Sequence, residues 1–360
     1  MGRTLDCKRA RPGFTLVELL TVIVIIGLLV GMITAAAIAA RNSGRRASIR
    51  MEIAQLDASF GAYKDKYGDY PPDFSFVNDP NPRLQKIGRD SVVRHLRKAF
   101  PRYPLPADND LAWAKFVFDV GNNYWFLAQD TGQVYRLNPS YFDPATAMVF
   151  WVGGLPEALR TPVPSAQQVM WTPAGFHADP TMPFRQGGPR MAPLFEFAPE
   201  RLVARGGMGQ TIYVAYLPPY IEQAPYAYFL ARMDRGSGRF EYGFTDPNDP
   251  NNPNDDVFIA AFYGVAPDNV CVPYLDAYMD PSLPPTNPRC ERHWRNPNTF
   301  QIITAGLDGD FGLPFAAQPA PPSFRYSKVG VVFPGLGHWS NADNDNQTNF
   351  TKGRLEDELE

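Results

Sequence analysis

Glu18 is the residue most in need of a chemical explanation. It stands five residues into the apolar run that follows Arg11-Pro12-Gly13, between Leu16-Val17 and Leu19-Leu20. An ionisable group in a membrane helix costs about 2.5 to 3.5 kcal/mol on insertion scales, less near the interface, and demands a partner. From Phe14 to Ala40 the run holds 27 residues. As a helix rising about 1.5 Å per residue it spans roughly 40 Å, enough to cross a bilayer.

Other reactive residue types are scattered. His95, His177, His293 and His338 form no His-Glu-x-x-His pair and flank no nucleophile elbow. Gly206 to Thr211 lacks the lysine of a phosphate-binding loop, and Cys-x-x-Cys is absent. Catalysis is therefore not expected. Cys271 and Cys290 could close a proline-rich loop as a disulfide in an oxidising compartment, and two buried thiols are the alternative. Between Arg83 and Arg102 seven basic residues, Arg83, Lys86, Arg89, Arg94, Arg97, Lys98 and Arg102, oppose Asp90 alone. Such a patch could contact phosphates. A solvated face, or a contact with acids such as Glu356-Asp357-Glu358, is the favoured reading, and the net charge of −3 lends nucleic acid no support.

The elements that must hold these groups begin with one long helix. Arg3, Lys8, Arg9 and Arg11 against Asp6 keep the amino terminus cytoplasmic by the positive-inside rule, while Arg41, Arg45, Arg46 and Arg50 argue weakly the other way. Beyond the apolar run, Ile49, Ile53, Leu56, Phe60, Tyr63 and Tyr67 recur at spacings of four and three, which sets them on one helical face. Arg50, Glu52, Asp57, Lys64 and Asp65 fall on other faces. Gly68-Asp69-Tyr70-Pro71-Pro72 ends the helix, so it runs from about Phe14 to Tyr67.

About 320 residues follow the apolar segment, and a chain with 37 prolines, 29 glycines and 13% aromatics should build a loop-rich, mostly β head. Strands are expected at Lys115 to Val120, Tyr124 to Ala128 and Gln133 to Leu137, the first two joined by a hairpin at Gly121-Asn122-Asn123. Further strands are expected at Thr211 to Leu217, Tyr226 to Arg232, Phe240 to Phe244 and Val257 to Tyr263. Asp143-Pro144 should start a helix that Gly153-Gly154 closes, and a second helix is expected from about Asp90 to Phe100. The fold class is α+β: a long amino-terminal helix packed on a mainly antiparallel, loop-rich head.

Gly13-Phe14-Thr15-Leu16-Val17-Glu18 resembles the processing and methylation signature of type IV pilins and type II secretion pseudopilins. The resemblance implies cleavage between Gly13 and Phe14 by a prepilin peptidase, methylation of the Phe14 amine, and assembly with other pilin subunits through an inner-membrane platform. Glu18 would then neutralise the Phe14 amine of a neighbouring subunit, so that two costly charges offset each other. Cys7 would leave with the leader. The block from Ala47 to Pro72 and the carboxy-terminal stretches Phe300 to Gly312 and Asn341 to Phe350 resemble the major type II secretion pseudopilin. The resemblance implies a structural calcium between these loops, with Asp343 and Asp345 as side-chain ligands and Asp308 and Asp310 as further candidates. Calcium takes six to eight oxygens of the kind Asp, Asn and loop carbonyls supply.

Two departures stand out: Thr34-Ala35-Ala36-Ala37 replaces the proline that many pilins carry there, and Leu313 to Gly337 lengthens the segment between the two carboxy-terminal loops. Gly27 and Gly31 make a small-xxx-small pair that lets helices approach closely. An ordinary Asx-rich turn is the alternative for the acidic loops, and the Asx run from Asp246 to Asp256 reads as a loop. The expected organisation is a leader over 1–13, a membrane and filament-core helix over 14–40 and an amphipathic helix over 41–70. An enlarged head over 71–297, a pseudopilin-like block over 298–350 and an acidic tail over 351–360 complete it. The expected role is a structural subunit of a pseudopilus or pilus-like filament, held in the inner membrane with its head in the periplasm. The alternatives are a single-pass envelope enzyme or binding protein, and a minor pilin binding DNA.

Overall fold

The computed structural model describes residues 15–127, 134–156, 173–206, 211–234, 238–245, 257–260, 262–263, 269–278, 292–312, 326–327, 331–332 and 341–358. The chain divides into two compact units, Met1–Ala47 and Ser48–Glu360. Helix α1 (Leu16–Tyr67) starts in the first and ends in the second. In the first unit its apolar side chains are exposed on every side, from Leu16 and Val17 to Ile33 and Ile38. A helix that is apolar all round needs lipid or other helices to cover it. Thr21 and Thr34 satisfy their hydroxyls within the helix, donating to the carbonyls of Val17 and Val30 at 2.8 Å.

In the second unit, the face expected from the four-three spacing is the buried one. Ile49, Ile53, Leu56, Phe60 and Tyr63 are at most 3% exposed. Phe60 stacks flat on Tyr228 with ring centres 4.2 Å apart, and Tyr63 donates to or accepts from His95 Nε2 at 2.8 Å. Gly68 ends the helix in the left-handed region at φ 81°, its amide bonding to the Lys64 carbonyl at 2.6 Å. Pro71 and Pro72, which follow Asp69 and Tyr70, are pinned by their carbonyls: Tyr228 Oη donates to Pro71 O and Trp151 Nε1 to Pro72 O, each at 2.8 Å.

Glu52 departs from expectation. The spacing sets it off the core face, yet it is only 9% exposed. A helix stripe wide enough to pack a head includes the residue three after Ile49, and a carboxylate is tolerated there because its oxygens are met by donors.

Helix α2 (Pro82–Ala99) begins a full two turns before the expected start. Asn81 caps it through Arg83 N, and Pro82 occupies the first turn, the same pairing of cap and proline that marks Asp143-Pro144. Helix α3 (Asn109–Asn123) replaces the strand expected at Lys115 to Val120 and its hairpin. Phe116, Phe118 and Val120 mimic strand alternation, but Ala112, Trp113, Phe116 and Val120 are the buried set, and their spacing is helical. Asp108 caps α3 by accepting from Leu111 N at 2.9 Å. Helix α4 (Pro144–Met148) runs on as a wider turn over Val149–Gly153 and is capped by Asp143, as expected.

Strands β1 (Trp125–Leu127), β2 (Val134–Leu137), β3 (Leu202–Gly206) and β4 (Thr211–Tyr216) form a sheet in the order β1-β2-β4-β3. Its β2–β4 pairing is parallel and the others are antiparallel. Strand β5 (Ala227–Leu230) pairs antiparallel with Phe300–Thr304, which in turn pairs with Gln347–Thr348. Every residue of Phe300–Thr304 is buried. Strands β6 (Arg232–Met233) and β7 (Phe240–Glu241) make a short hairpin. The helix and these mainly antiparallel sheets are the α+β arrangement the composition implied.

Candidate functional site

Gly13 and Phe14 lie outside the described residues. Immediately after them, Thr15 and Glu18 form a reciprocal cap. Glu18 Oε2 accepts from Thr15 N at 2.9 Å and from Thr15 Oγ1 at 2.8 Å, while Glu18 N donates back to Thr15 Oγ1 at 3.2 Å. Thr15-x-x-Glu18 is thus a capping box, which satisfies donors that every helix start leaves open. Read from sequence as a charge awaiting a second subunit, Glu18 has this local role as well, and the Ser/Thr-x-x-Glu spacing is the signal that could have found it. Its Oε1 makes no hydrogen bond among the described residues and stays available to a further donor. Gly27 and Gly31 both have open space where a Cβ would stand.

The two carboxy-terminal segments are brought together, since Phe300–Thr304 pairs with Gln347–Thr348 and the loops beyond each strand meet. Gly306, at φ 53°, packs so closely on Asp345 that a Cβ would stand 2.1 Å from its Oδ1. Asp345 Oδ2 accepts from Leu307 N at 2.8 Å, and Asp308 Oδ1 from Asp310 N at 2.9 Å. Asp308 and Asp345 are neighbours, and burial, with the nearby charges of Asp345 and Asp310, lifts the Asp308 carboxyl to about 6. Asp310 accepts from Gly312 N at 3.0 Å. Asp343 is buried and accepts the Tyr274 hydroxyl at 2.8 Å, with Asn346 Nδ2 donating to the same hydroxyl at 2.9 Å. Of the four expected ligands, Asp308 and Asp345 face one another and Asp343 is turned to Tyr274. Among the described residues no three His, Cys, Asp or Glu side chains converge as a metal cluster.

The remaining candidates are dispersed. Cys271 is buried, which pushes its thiol well up, and Cys290 lies outside the described residues. His177 is buried and accepts from Asp179 N through Nδ1, His293 is exposed, and His338 lies outside the described residues, as does the Asx run 246–256. Much of the basic stretch is engaged within the head. Arg97 donates to Asn109 Oδ1 and to the Pro106 and Ala107 carbonyls, Arg89 to the Val77 carbonyl, and Lys86 reaches Asp110.

Residues 8–34 match the family described as the prokaryotic N-terminal methylation motif. No curated protein and no solved structure matches the chain. The matched span covers the cations from Lys8 to Arg11, the Gly13-Phe14 junction, the capping box and most of the exposed apolar run. The chain carries the prepilin-type amino-terminal methylation motif on a long apolar helix, as type IV pilin-like proteins do.

Proposed function

We propose that the protein is a structural subunit of a type II secretion pseudopilus or a related pilus-like filament. It is cut between Gly13 and Phe14 on the cytoplasmic side, methylated at Phe14, and held in the inner membrane with its head in the periplasm until it is assembled. Its work is mechanical rather than catalytic. The observation that carries this reading is the motif itself, joined to a helix whose apolar half has no covering of its own. Glu18 serves twice: one oxygen closes the capping box, and the other receives the Phe14 amine of the next subunit. Mass spectrometry of the mature amino terminus tests the proposal. Methylated Phe14 is the expected terminus, and a chain retaining residues 1–13 in the membrane refutes it.

A calcium ion at the Asp308–Asp345 pair is the second part of the proposal. Two neighbouring carboxylates, one of them raised by burial and by the other's charge, form a site where a divalent cation would relieve the repulsion, with loop carbonyls supplying the remaining oxygens.

A further inference from the structure

A cleft of 510 Å³ lies in the Ser48–Glu360 unit, between the second half of α2, the Asp69–Pro72 turn and the β6–β7 hairpin. That volume falls within the range of ligand sites. Its lining is divided by chemistry. Arg94 and Lys98, one turn apart on α2, and Arg232 on β6 supply three cations, of which Lys98 is paired with Asp69 at 3.1 Å on the exposed rim and Arg232 with the buried Asp73, which leaves the lining a net positive charge. Met233 and Phe240, paired across the hairpin, line the other side and are 56% and 37% exposed.

Arg232 is the unusual member. Its side chain is 10% exposed and it pairs with the fully buried Asp73. Asp73 is held from behind by Ser75 N and Leu230 N, each at 3.1 Å, so the aspartate is fixed and fixes the guanidinium in turn. Phe244 lies under the guanidinium at 5.1 Å. Yet Nε and Nη1 of Arg232 find no acceptor among the described residues. Buried donors are nearly always paired in native proteins, and charged donors left unpaired are costly. The pair with Asp73 holds this guanidinium rigidly on the cleft wall, with one tenth of its side chain open to an arriving acceptor.

We propose that this cleft binds an acidic peptide segment of a partner protein, its carboxylates received by Arg94, Lys98 and Arg232 and an apolar side chain lying on Met233 and Phe240. A nucleic acid is disfavoured because a phosphate backbone needs a continued basic track. Arg97 and Arg89, which would extend one along α2, are turned to carbonyls of the head. The inference stands apart from the filament reading, since it uses only the second unit.

The test uses the full chain in detergent micelles and a fluorescein-labelled peptide, acetyl-Glu-Asp-Leu-Glu-Phe-Asp, read by anisotropy at low salt. Saturable binding is expected, weakened about tenfold by Arg94→Ala with Lys98→Ala and, separately, by Met233→Ser with Phe240→Ser. Both double variants alter surface residues, and unchanged melting shows that they fold. Arg232→Lys keeps a charge beside Asp73, removes the guanidinium donors and should also weaken the peptide. The Gln and Asn version of the peptide should not bind. No saturation below about 1 mM, equal affinity in the double variants, or a single-stranded oligonucleotide that outcompetes the peptide would each overturn the proposal.

Discussion

Glu52 on α1 and Arg201, 149 positions further along the chain, are joined as an ion pair whose carboxylate is buried and whose guanidinium is half-buried, with Arg201 Nη1 donating to Glu52 Oε2 at 2.8 Å. Tyr226 Oη donates to the same oxygen at 2.8 Å and Tyr216 Oη to Oε1 at 3.0 Å. The pair sets the rotation of α1 about its own axis, because turning the helix by one residue would leave the carboxylate buried without donors.

Removing one partner of a buried pair costs more than removing both. Glu52→Ala should lower stability by about 3 kcal/mol, and Glu52→Leu with Arg201→Met should lose clearly less than the two single changes summed. Urea unfolding followed by near-ultraviolet circular dichroism gives the double-mutant cycle. Strictly additive losses would show that the pair is not coupled.

His95 predicts a pH dependence. Burial, the largest influence, holds its imidazole at about 4, below the ordinary 6.5. The unfolded chain therefore binds the proton first, and stability is complete above pH 6.5 and lost as pH falls toward 4. The loss amounts to about 3 kcal/mol and flattens below that. His95→Gln, which can still meet Tyr63, should remove this slope from the curve of melting temperature against pH. An unchanged slope would assign the acid sensitivity elsewhere.

Gly88 on α2 touches the loop that precedes the helix. A Cβ there would stand 2.7 Å from Ser75 O and 2.9 Å from the Phe76 carbonyl carbon, both backbone atoms. Phe74 and Phe76 hold left-handed conformations in that loop, at φ 56° and 67°, so it has little freedom to retreat. Gly88→Ala should cost about 1 to 3 kcal/mol through overpacking, despite a better helix propensity. Gly61→Ala on α1 meets nothing within 4 Å and should instead raise the melting temperature.

Asp308 predicts the opposite pH trend. A carboxyl raised to about 6 favours its protonated form when folded, so its contribution is present below the unfolded carboxylate value and lost as pH rises through 6. Calcium should raise the melting temperature at pH 7 and flatten this dependence, with EDTA reversing both. Asp308→Asn with Asp345→Asn should abolish the response to calcium. A response that survives in the double variant would place the ion elsewhere.

Local signals that depend on neighbouring residues were legible. The Gly13 to Glu18 motif, the core face from Ile49 to Tyr67, the Gly68 cap and the Asp143-Pro144 helix start all rest on spacings within a few residues. The error at Lys115 to Val120 has a local cause as well. Phe116, Phe118 and Val120 satisfy strand alternation while Ala112, Trp113, Phe116 and Val120 satisfy helical spacing, and only the packing of Trp113 and Phe116 into the core, with Phe118 left exposed, decides between them.

By itself, the sequence determined that a long helix begins beside Phe14, that its first half is apolar on all sides, and that its second half has one buried face. These follow from hydrophobicity and a period of 3.6 residues. The tertiary structure alone decided that Glu52 belongs inside, that Asp308 meets Asp345, and that Arg232 is locked by Asp73 at the wall of a cleft. Each of those depends on partners from 37 to 159 positions away. A charge is stable in the interior only where folding delivers its counterpart, and no local pattern records which distant residue that will be.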